Sequence, residues 1–381
     1  MKTMVSNMTN VCLGDVAREI KQKVPVDQEL PTVGLEHLDP GEVELAHWDE
    51  GVETTFTKAF SKGQVLFGRR RAYLRKAAVA PFDGICSGDI TVIAPKDNLS
   101  PRLLPFIIQN DALFEHAVTN SAGSLSPRVK WQSLSQFEFE LPSIAKQEDL
   151  ADILWTAQET RSHYRQLLTA CDDVVKSQFV EMFGDPIDNT FHKPIASFSD
   201  LGKWQSGGTP ARSNTSYFEG DIDWYSAGEL NGFHLRSSIE KITIEALNQS
   251  AAKLYPAGSL LVGMYDTAAL KMGVLDKAAA SNQACACLIP NDSVLVEWLY
   301  TAISIMKPHL LSQRKGCRQK NLSLKMIKGF NLPIADEAEQ RDFAVFFHSV
   351  DKSKFAVQKA LDELNATTKK ILNQELGLGD V

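Results

Sequence analysis

The chain has 381 residues, of which 44% are hydrophobic and 23% are charged, and it carries a net charge of -7. This length favours two domains, and the composition excludes a disordered chain, a collagen-like chain and a disulfide-stapled miniprotein. The acidic balance also weighs against a nucleic-acid partner, because proteins that bind nucleic acids are usually basic.

The sequence contains no apolar run of signal-peptide length and no window approaching the 18 apolar residues of a membrane span. Of the six cysteines, only Cys285 and Cys287 lie close together. Their one-residue spacing is typical of a strand rather than of a zinc site, which uses a longer spacer. We therefore expect a cytoplasmic protein with reduced, buried thiols, no bound metal and no membrane association.

An internal repeat divides the chain into two related halves. The segment from Phe60 to Lys96 aligns without gaps with the segment from Tyr255 to Asn291. Six matched pairs lie 195 residues apart: Gly63/Gly258, Leu66/Leu261, Gly68/Gly263, Lys76/Lys271, Val79/Val274 and Pro95/Pro290. Further collinear matches at Gln147/Gln340 and Gly184/Gly377, both 193 apart, indicate that the whole unit is duplicated.

Each copy combines a mixed globular part with a long helix. Short apolar runs such as 64–68, 90–95, 259–263 and 284–290 are bounded by turn residues and predict strands of an irregular α+β domain. Segments 147–182 and 343–372 have apolar residues at the alternating 3–4 spacing of a coiled coil. Each helix is predicted to end at a glycine, Gly184 or Gly377.

The fold prediction is therefore α+β, with a pseudo-twofold repeat and two long antiparallel coiled-coil helices. Its predicted limits are 1–145 and 184–335 for two mixed α/β domains, and 146–183 and 336–377 for the helices. A helix from Gln147 to Gly184 is about 55 Å long, which exceeds a domain of this size and favours helix pairing over two separately packed helices.

The basic residues are concentrated in the globular parts. Residues 58–146 carry 12 Lys and Arg against 7 Asp and Glu, whereas residues 1–57 carry 4 against 11. The tracts from Lys58 to Lys76 and from Ile305 to Phe330 each contain seven basic residues and no acid. Such tracts neutralise DNA phosphates, and arginine also reads guanine; the alternative is a solvated surface.

Motifs of several catalytic classes are missing. The sequence has no phosphate-binding Walker motif, no dinucleotide-binding glycine motif, no amino-methyltransferase signature and no metalloprotease or hydrolase motif. Asp15 together with Glu19-Ile20-Lys21 weakly resembles part of a nuclease site, but we interpret this stretch as a solvated helix. We predict no catalytic residue and favour a binding function.

The chain resembles the DNA-specificity subunit of type I restriction–modification systems. The resemblance lies in residues 32–41 (TVGLEHLDPG), 62–68 (KGQVLFG), 71–76 (RAYLRK) and 84–87 (GICS), and in residues 207–210 (GGTP), 217–222 (YFEGDI) and 281–283 (SNQ) of the second half. Leu332-Pro333 followed by Gln340 completes it. At the first loop the copies differ, with Lys23-Val24-Pro25 where the second has Gly208-Thr209-Pro210.

The resemblance implies a non-catalytic subunit of a DNA adenine methyltransferase and restriction complex. Each target-recognition domain would read one half of a bipartite, asymmetric target in double-stranded DNA. The helices would set the spacing and dock two methyltransferase (modification) subunits, which would bind S-adenosylmethionine; this chain would hold no cofactor. A translocase–restriction subunit would join for phage defence.

Charge and the repeat together nominate the DNA-contacting residues. Lys76 and Lys271 are paired by the repeat, and the others are chosen on charge alone. The predicted set is Lys62, Arg69, Arg70, Arg71, Arg75, Lys76, Arg128, Lys130, Arg212, Lys271, Arg314, Lys315, Arg318 and Lys320. Two other interpretations stay open from the residues: a coiled-coil scaffold whose globular ends bind proteins, and an enzyme with a degenerate nuclease site.

Overall fold

The structure is a computed structural model that describes residues 8–25, 30–313 and 321–379. The chain divides into two compact units, Met1–Gln166 with Gln358–Val381, and Leu167–Val357. We call these unit 1 and unit 2. Each long helix is shared between the units, so the units do not test the predicted domain limits.

The globular part of the first copy contains short strands and helices. Its strands are β1 Thr9–Cys12, β2 Ala17–Ile20, β3 Thr32–Val33, β4 Lys58–Phe60, β5 Val65–Gly68, β6 Ala77–Val79, β7 Gly84–Cys86, β8 Ile90–Pro95 and β9 Glu138–Leu141. Its helices are α1 Leu13–Val16, α2 Leu104–Ile108, α3 Asp111–Thr119 and α4 Trp131–Leu134, followed by the long helix α5 Ile144–Phe183.

The second copy follows the same order. Its strands are β10 Ile195–Ser197, β11 Gly202–Ser206, β12 Ile222–Tyr225, β13 Asn231–Leu235, β14 Glu240–Ile242, β15 Leu260–Gly263, β16 Met272–Leu275, β17 Ala280–Ser281, β18 Cys285–Pro290 and β19 Asn331–Pro333. Its helices are α6 Ile244–Asn248, α7 Val296–Ser312, α8 Leu324–Lys328 and the long α9 Glu337–Glu375.

Sheet topology confirms the duplication. The first copy has a sheet of order β2-β8-β5-β6, a sheet of order β3-β7-β4 and the pair β1-β9. The second has β11-β18-β15-β16-β13, β14-β12-β17 and β10-β19. In both copies the smaller sheet contains one parallel pair, β3 with β7 and β12 with β17. The second copy adds β13, which pairs in parallel with β16. The smaller sheets also differ in their central strand, which is β7 in the first copy and β12 in the second.

The central strand of each larger sheet is buried on both faces. In β5, Val65 and Phe67 pack in one apolar cluster and Leu66 in another. In β15, Leu260 and Val262 likewise face one cluster while Leu261 faces a second. Burial of both faces explains why these strands are continuous apolar runs without polar alternation.

The predicted long helices are present, and two equivalent glutamines attach their starts to the globular parts. The buried Gln147 accepts a hydrogen bond from the Ser100 N–H at 2.8 Å and donates to the Pro142 and Asn98 carbonyls at 2.9 and 3.2 Å. The buried Gln340 accepts from the Leu295 N–H at 2.8 Å and donates to the Ala335 and Ser293 carbonyls at 2.9 and 3.2 Å.

Within unit 2, the two long helices run antiparallel, as predicted. Asp172 of α5 pairs with Lys354 of α9. Further along α5, Phe179 contacts Phe343, with ring centroids 5.5 Å apart, so the contacts occur in reverse order along α9. Within unit 1, the start of α5 and the end of α9 share one apolar core through Leu150, Leu154 and Leu372, joined by Leu376 just after α9. Gly184 and Gly377 come after the helices with φ of +79° and +63°.

One local prediction was wrong. The stretch holding Glu19 is strand β2, paired with β8, and not a solvated helix. Its carboxylate lies 3.4 Å from the Lys21 ammonium and 3.6 Å from that of Lys58. In the ranges described, no helix is both long enough and apolar enough to cross a membrane.

Candidate nucleic-acid interface

Arg69–Arg71 come directly after strand β5 and are held by backbone hydrogen bonds. The Arg69 N–H donates to the Asp89 carbonyl at 2.9 Å, and its carbonyl accepts from the Val129 N–H at 3.0 Å. The Arg71 N–H donates to the Pro127 carbonyl at 2.8 Å. Arg71 has a φ of +54°, an uncommon conformation for a non-glycine residue. The segment is therefore fixed between two other parts of the domain.

Asp89 gathers three of the predicted arginines. Arg128 binds it through two hydrogen bonds, Nε to Oδ1 at 2.7 Å and Nη2 to Oδ2 at 3.0 Å. Arg70 Nη1 lies 3.6 Å from Oδ2. The hydrogen bond from Arg128 lowers the pKa of Asp89 and raises that of Arg128. With Arg69, these side chains form the group that we call the Asp89 cluster: three guanidinium groups around one carboxylate.

The Asp89 cluster keeps unused donor capacity. The Nε groups of Arg69 and Arg70 are buried, and neither has a hydrogen-bond partner in the part of the chain that the structure describes. Arg70 Nη2 donates to the Ser126 hydroxyl at 3.2 Å. Because one carboxylate balances only one of three positive charges, the cluster is an excess-positive patch of arginine forks. Such forks suit phosphate oxygens and the guanine edge.

A loop beside the cluster projects an apolar side chain into solvent. In residues 121–128, Ala122 and Arg128 exchange backbone hydrogen bonds of 3.0 and 2.9 Å, which closes the loop. Leu125 within it is 90% exposed. On the neighbouring turn, Tyr73 is 55% exposed. Basic, aromatic and apolar side chains thus lie close together on this part of unit 1.

Two other predicted residues of the first tract are occupied within the domain. Lys76 is partly buried, and its ammonium donates to the Leu35 carbonyl at 2.7 Å. Arg75 forms an ion pair with Asp111 and lies 4.0 Å from Glu115. Lys62 and Lys130 are exposed, and neither side chain has an ion pair in the described ranges. A phosphate can therefore approach Lys62 and Lys130 without displacing an existing ion pair.

In the second copy, both described candidates are also engaged. Arg212 forms a bidentate ion pair with Glu240, in which Nη2 lies 2.7 Å from Oε2. Its guanidinium carbon also lies 4.4 Å from the Phe218 ring centroid. Lys271 donates to Asn231 Oδ1 at 2.9 Å and to the Gly228 carbonyl at 3.5 Å. Arg314, Lys315, Arg318 and Lys320 lie outside the described residues.

The repeat-paired lysines occupy equivalent places. Lys76 bonds a carbonyl in the short turn after β3, and Lys271 bonds one in the turn after β12. The strands are themselves equivalent, since each pairs in parallel within the smaller sheet. These contacts indicate that both lysines stabilise the domain, whatever they contribute to DNA binding.

The two copies present the same backbone with different side chains at this surface. Arg71 and Asp266 are repeat partners with φ of +54° and +49°, and Arg75 and Leu270 are partners with φ of +52° and +54°. Residues 69–75 read RRRAYLR, whereas residues 264–270 read MYDTAAL. A shared frame with changed side chains can recognise two different targets.

Sequence reasoning missed the residues that organise this surface. Asp89 lies 39 residues from Arg128 in the chain, and no local pattern links the two. Leu125 was missed because one leucine in an otherwise polar loop does not distinguish that loop from an ordinary connecting segment. One signal was available in the sequence. Residues 121–128 come shortly before β9 and Gln147, and the repeat gives both of these an equivalent in the second copy.

Among the described residues, no group of three or more His, Cys, Asp or Glu side chains is placed to hold a metal ion. Cys285 and Cys287 are fully buried in β18, and burial raises the pKa of the Cys285 thiol to about 12. These are packed structural thiols, as the strand spacing predicted.

Comparison with known proteins assigns the family. The model of the type I restriction modification DNA specificity domain matches the chain twice, over residues 6–166 and 195–366. The chain belongs to this family. The two matches confirm that the repeat consists of two specificity domains.

Individual relatives are distant. The chain is 25% identical over 177 residues to the type I restriction enzyme EcoR124I/EcoR124II specificity subunit of Escherichia coli, covering 43% of this chain and 42% of that protein. It is 22% identical over 181 residues to the MjaIX specificity subunit of Methanocaldococcus jannaschii, covering 45% and 41%. The aligned part is thus less than half the length of these relatives.

A solved structure supports the fold over the full length. The S subunit of a type I restriction–modification system from M. genitalium aligns with a TM-score of 0.53 and 13% identity, covering 100% of this chain and 99% of the other. At this identity the likeness concerns the fold alone. It agrees with the two mixed α/β domains and two long helices described above.

Proposed function

We propose that the chain is the sequence-specific DNA-recognition subunit of a type I restriction–modification complex. The main support is the double match to the DNA specificity domain, with one match for each structural copy. The Asp89 cluster supplies a contact surface in the first copy, with uncompensated guanidinium groups suited to phosphates and guanine. The family match favours this function over a scaffold without DNA specificity.

Each copy would read one half of a bipartite target. The shared backbone and different side chains of residues 69–75 and 264–270 support two unlike half-sites, and hence an asymmetric target. The arginine-rich segment suits guanine or phosphate, whereas the segment with Tyr265 and Asp266 suits other base edges, including the amino group of cytosine.

The chain would act without chemistry of its own. Two methyltransferase subunits would dock on the helices, bind S-adenosylmethionine and methylate adenine, and a restriction–translocase subunit would complete the complex. Such a complex works where the DNA is, so we propose a cytoplasmic location. The division of labour agrees with the catalytic motifs missing from the sequence.

The test is a footprint of the chain purified with its methyltransferase partner on DNA that contains the modified site. Two protected segments separated by an unprotected spacer are expected. One compact footprint, or none, would contradict bipartite recognition. The salt dependence of DNA binding distinguishes this function from the scaffold alternative. A protein that neutralises many phosphates loses affinity steeply as salt rises, whereas a scaffold without DNA specificity should not.

A further inference from the structure

Each unit contains a cavity lined by both long helices and the globular part. In unit 2 it has a volume of about 490 Å³, with Phe347 of α9, Val175 of α5 and Tyr300 of α7 in its walls. In unit 1 the volume is about 320 Å³, with Leu154, Thr368 and Phe106 in the walls. Both volumes fall in the range of roughly 300–1,000 Å³ that is typical of small-ligand sites.

The two cavities are repeats of one feature. Helix residues that line them correspond across the duplication with a constant offset of 193 residues. The pairs are Leu154/Phe347, Arg161/Lys354, Asp172/Asn365, Val175/Thr368 and Lys176/Lys369. A cavity kept at the same place in two copies whose other side chains have diverged indicates a common use.

The unit 2 cavity has an excess of positive charge. Its two carboxylates are engaged, Asp172 by Lys354 and Asp351 by His234 at 2.9 Å. Lys307 has no hydrogen-bond or ion-pair partner in the described ranges, and Lys271 lines the same cavity. Burial and the positive charge of Lys271 lower the pKa of Lys307. Two ammonium groups therefore share one partly enclosed space.

The unit 1 cavity repeats this imbalance with other residues. Arg165 binds Glu42 at 2.6 Å, and Lys369 binds Asp111 at 2.7 Å. Arg161 Nη1 donates to the neutral Gln158 Oε1 at 3.2 Å, and its buried Nε has no hydrogen-bond partner among the described residues. Burial and the nearby Arg165 lower the pKa of Arg161. An incoming anion would satisfy this donor and offset the repulsion.

We propose that each cavity binds one phosphate group, held by Lys307 and Lys271 in unit 2 and by Arg161 in unit 1. A phosphate has several acceptor oxygens and a charge that suits paired cations in a partly desolvated site. The phosphate could belong to a free phosphate ester or to the DNA backbone, and the chemistry of recognition is the same. The proposal does not rest on sequence-specific DNA recognition.

The test is titration calorimetry of the full chain with inorganic phosphate. The unaltered chain is expected to bind two phosphates. Lys307→Gln and Arg161→Gln are each expected to remove one site, by weakening it at least about tenfold, and the double variant to remove both. Matched controls are Lys328→Gln and Arg18→Gln, which remove exposed charges outside the cavities and should leave both sites.

Competition identifies the source of the phosphate. If saturating DNA abolishes phosphate binding, the cavities hold backbone phosphates; if phosphate still binds to the DNA complex, they hold a free phosphate ester. Both results support the proposal. No saturable binding, or binding that Lys307→Gln and Arg161→Gln leave unchanged, overturns it. Because the measurement needs no DNA target, its failure differs from failure of the recognition function.

Discussion

At the scale of residues, the basic side chains divide between those that hold the domain together and those left for a ligand. Lys76, Arg75 and Arg212 are committed to carbonyl or carboxylate partners within their domain. Arg70 is held more loosely, 3.6 Å from Asp89, and its buried Nε has no partner within the described ranges. Charge in the sequence could nominate all of them, but only the three-dimensional neighbours separate the two groups.

Replacement of Arg70 by alanine should weaken DNA binding. If its guanidinium contacts a base, the loss is about 1–3 kcal/mol and falls on one position of the target. Fluorescence anisotropy with the purified complex measures the effect, and Arg18→Ala is the control for removal of one exposed charge. Lys315→Ala should act similarly for the other half-site. Unchanged affinity in both variants would indicate that the basic tracts 58–76 and 305–330 are solvated surfaces that do not contact DNA.

A second residue-scale feature links a strand to a long helix in unit 2. His234 of β13 lies between Asp276, at 2.7 Å, and Asp351 of α9, at 2.9 Å. Burial lowers the pKa of His234, but hydrogen bonds to both carboxylates outweigh burial and raise it above its usual value. Arg236, 3.6 Å from Asp276, completes the charged groups at this contact.

This contact should make the stability of unit 2 depend on pH. A raised folded-state pKa means that the stabilisation is full below the unfolded pKa of about 6.5 and is lost as pH rises through the folded value. The difference in unfolding free energy between the unaltered chain and His234→Gln should therefore shrink as pH rises above about 6.5. Urea unfolding at a series of pH values measures it, and a constant difference would contradict the assignment.

At the scale of elements, the sequence predicts the helices and strands well wherever the local residue pattern determines the secondary structure. The long helices result from their apolar spacing and from the absence of glycine and proline, and β5 and β15 from short apolar runs between turn residues. Strand β2 was mistaken for a helix because its four residues depend on pairing with β8, more than 70 residues away. The Asp89 cluster is nonlocal in the same way, so no sequence spacing could reveal it.

The glutamines at the helix starts should be the most sensitive polar positions of the helices. Gln147→Ala or Gln340→Ala leaves two carbonyls and one N–H, each buried or partly buried, without this partner. Each variant should lose about 3 kcal/mol of unfolding free energy, the sum expected for several unsatisfied buried groups. Urea unfolding gives the value, and Gln358→Ala, at an exposed position of α9, should cost far less.

At the scale of the whole molecule, duplication is the organising feature. The net charge of -7 argued against DNA only as long as the chain was treated as a single unit. In the first copy, residues 58–146 carry 12 Lys and Arg against 7 Asp and Glu, and the family match makes both copies specificity domains. Divergence of residues 69–75 from residues 264–270 on one backbone frame would let the two copies read different half-sites, as proposed.

Both long helices contain residues of both units, so their length should determine the spacing of the target. Four residues inserted into α5 or α9 extend the helix by about 6 Å and rotate the part of the helix beyond the insertion by about 40°. We expect the insertion to change the number of base pairs between the methylated positions while each half-site keeps its sequence. Unchanged spacing in both insertion variants would show that the helices do not measure distance.

The most direct test of the central claim is a methylome of the source cell with and without this chain. Recognition by two unlike specificity domains predicts that removing the chain abolishes adenine methylation at one asymmetric motif, composed of two short sequences separated by an unread spacer. Restoring the chain should restore that motif, and Arg70→Ala should affect only one of its halves. A methylome that is identical with and without the chain, or loss of a single uninterrupted motif, would contradict the account.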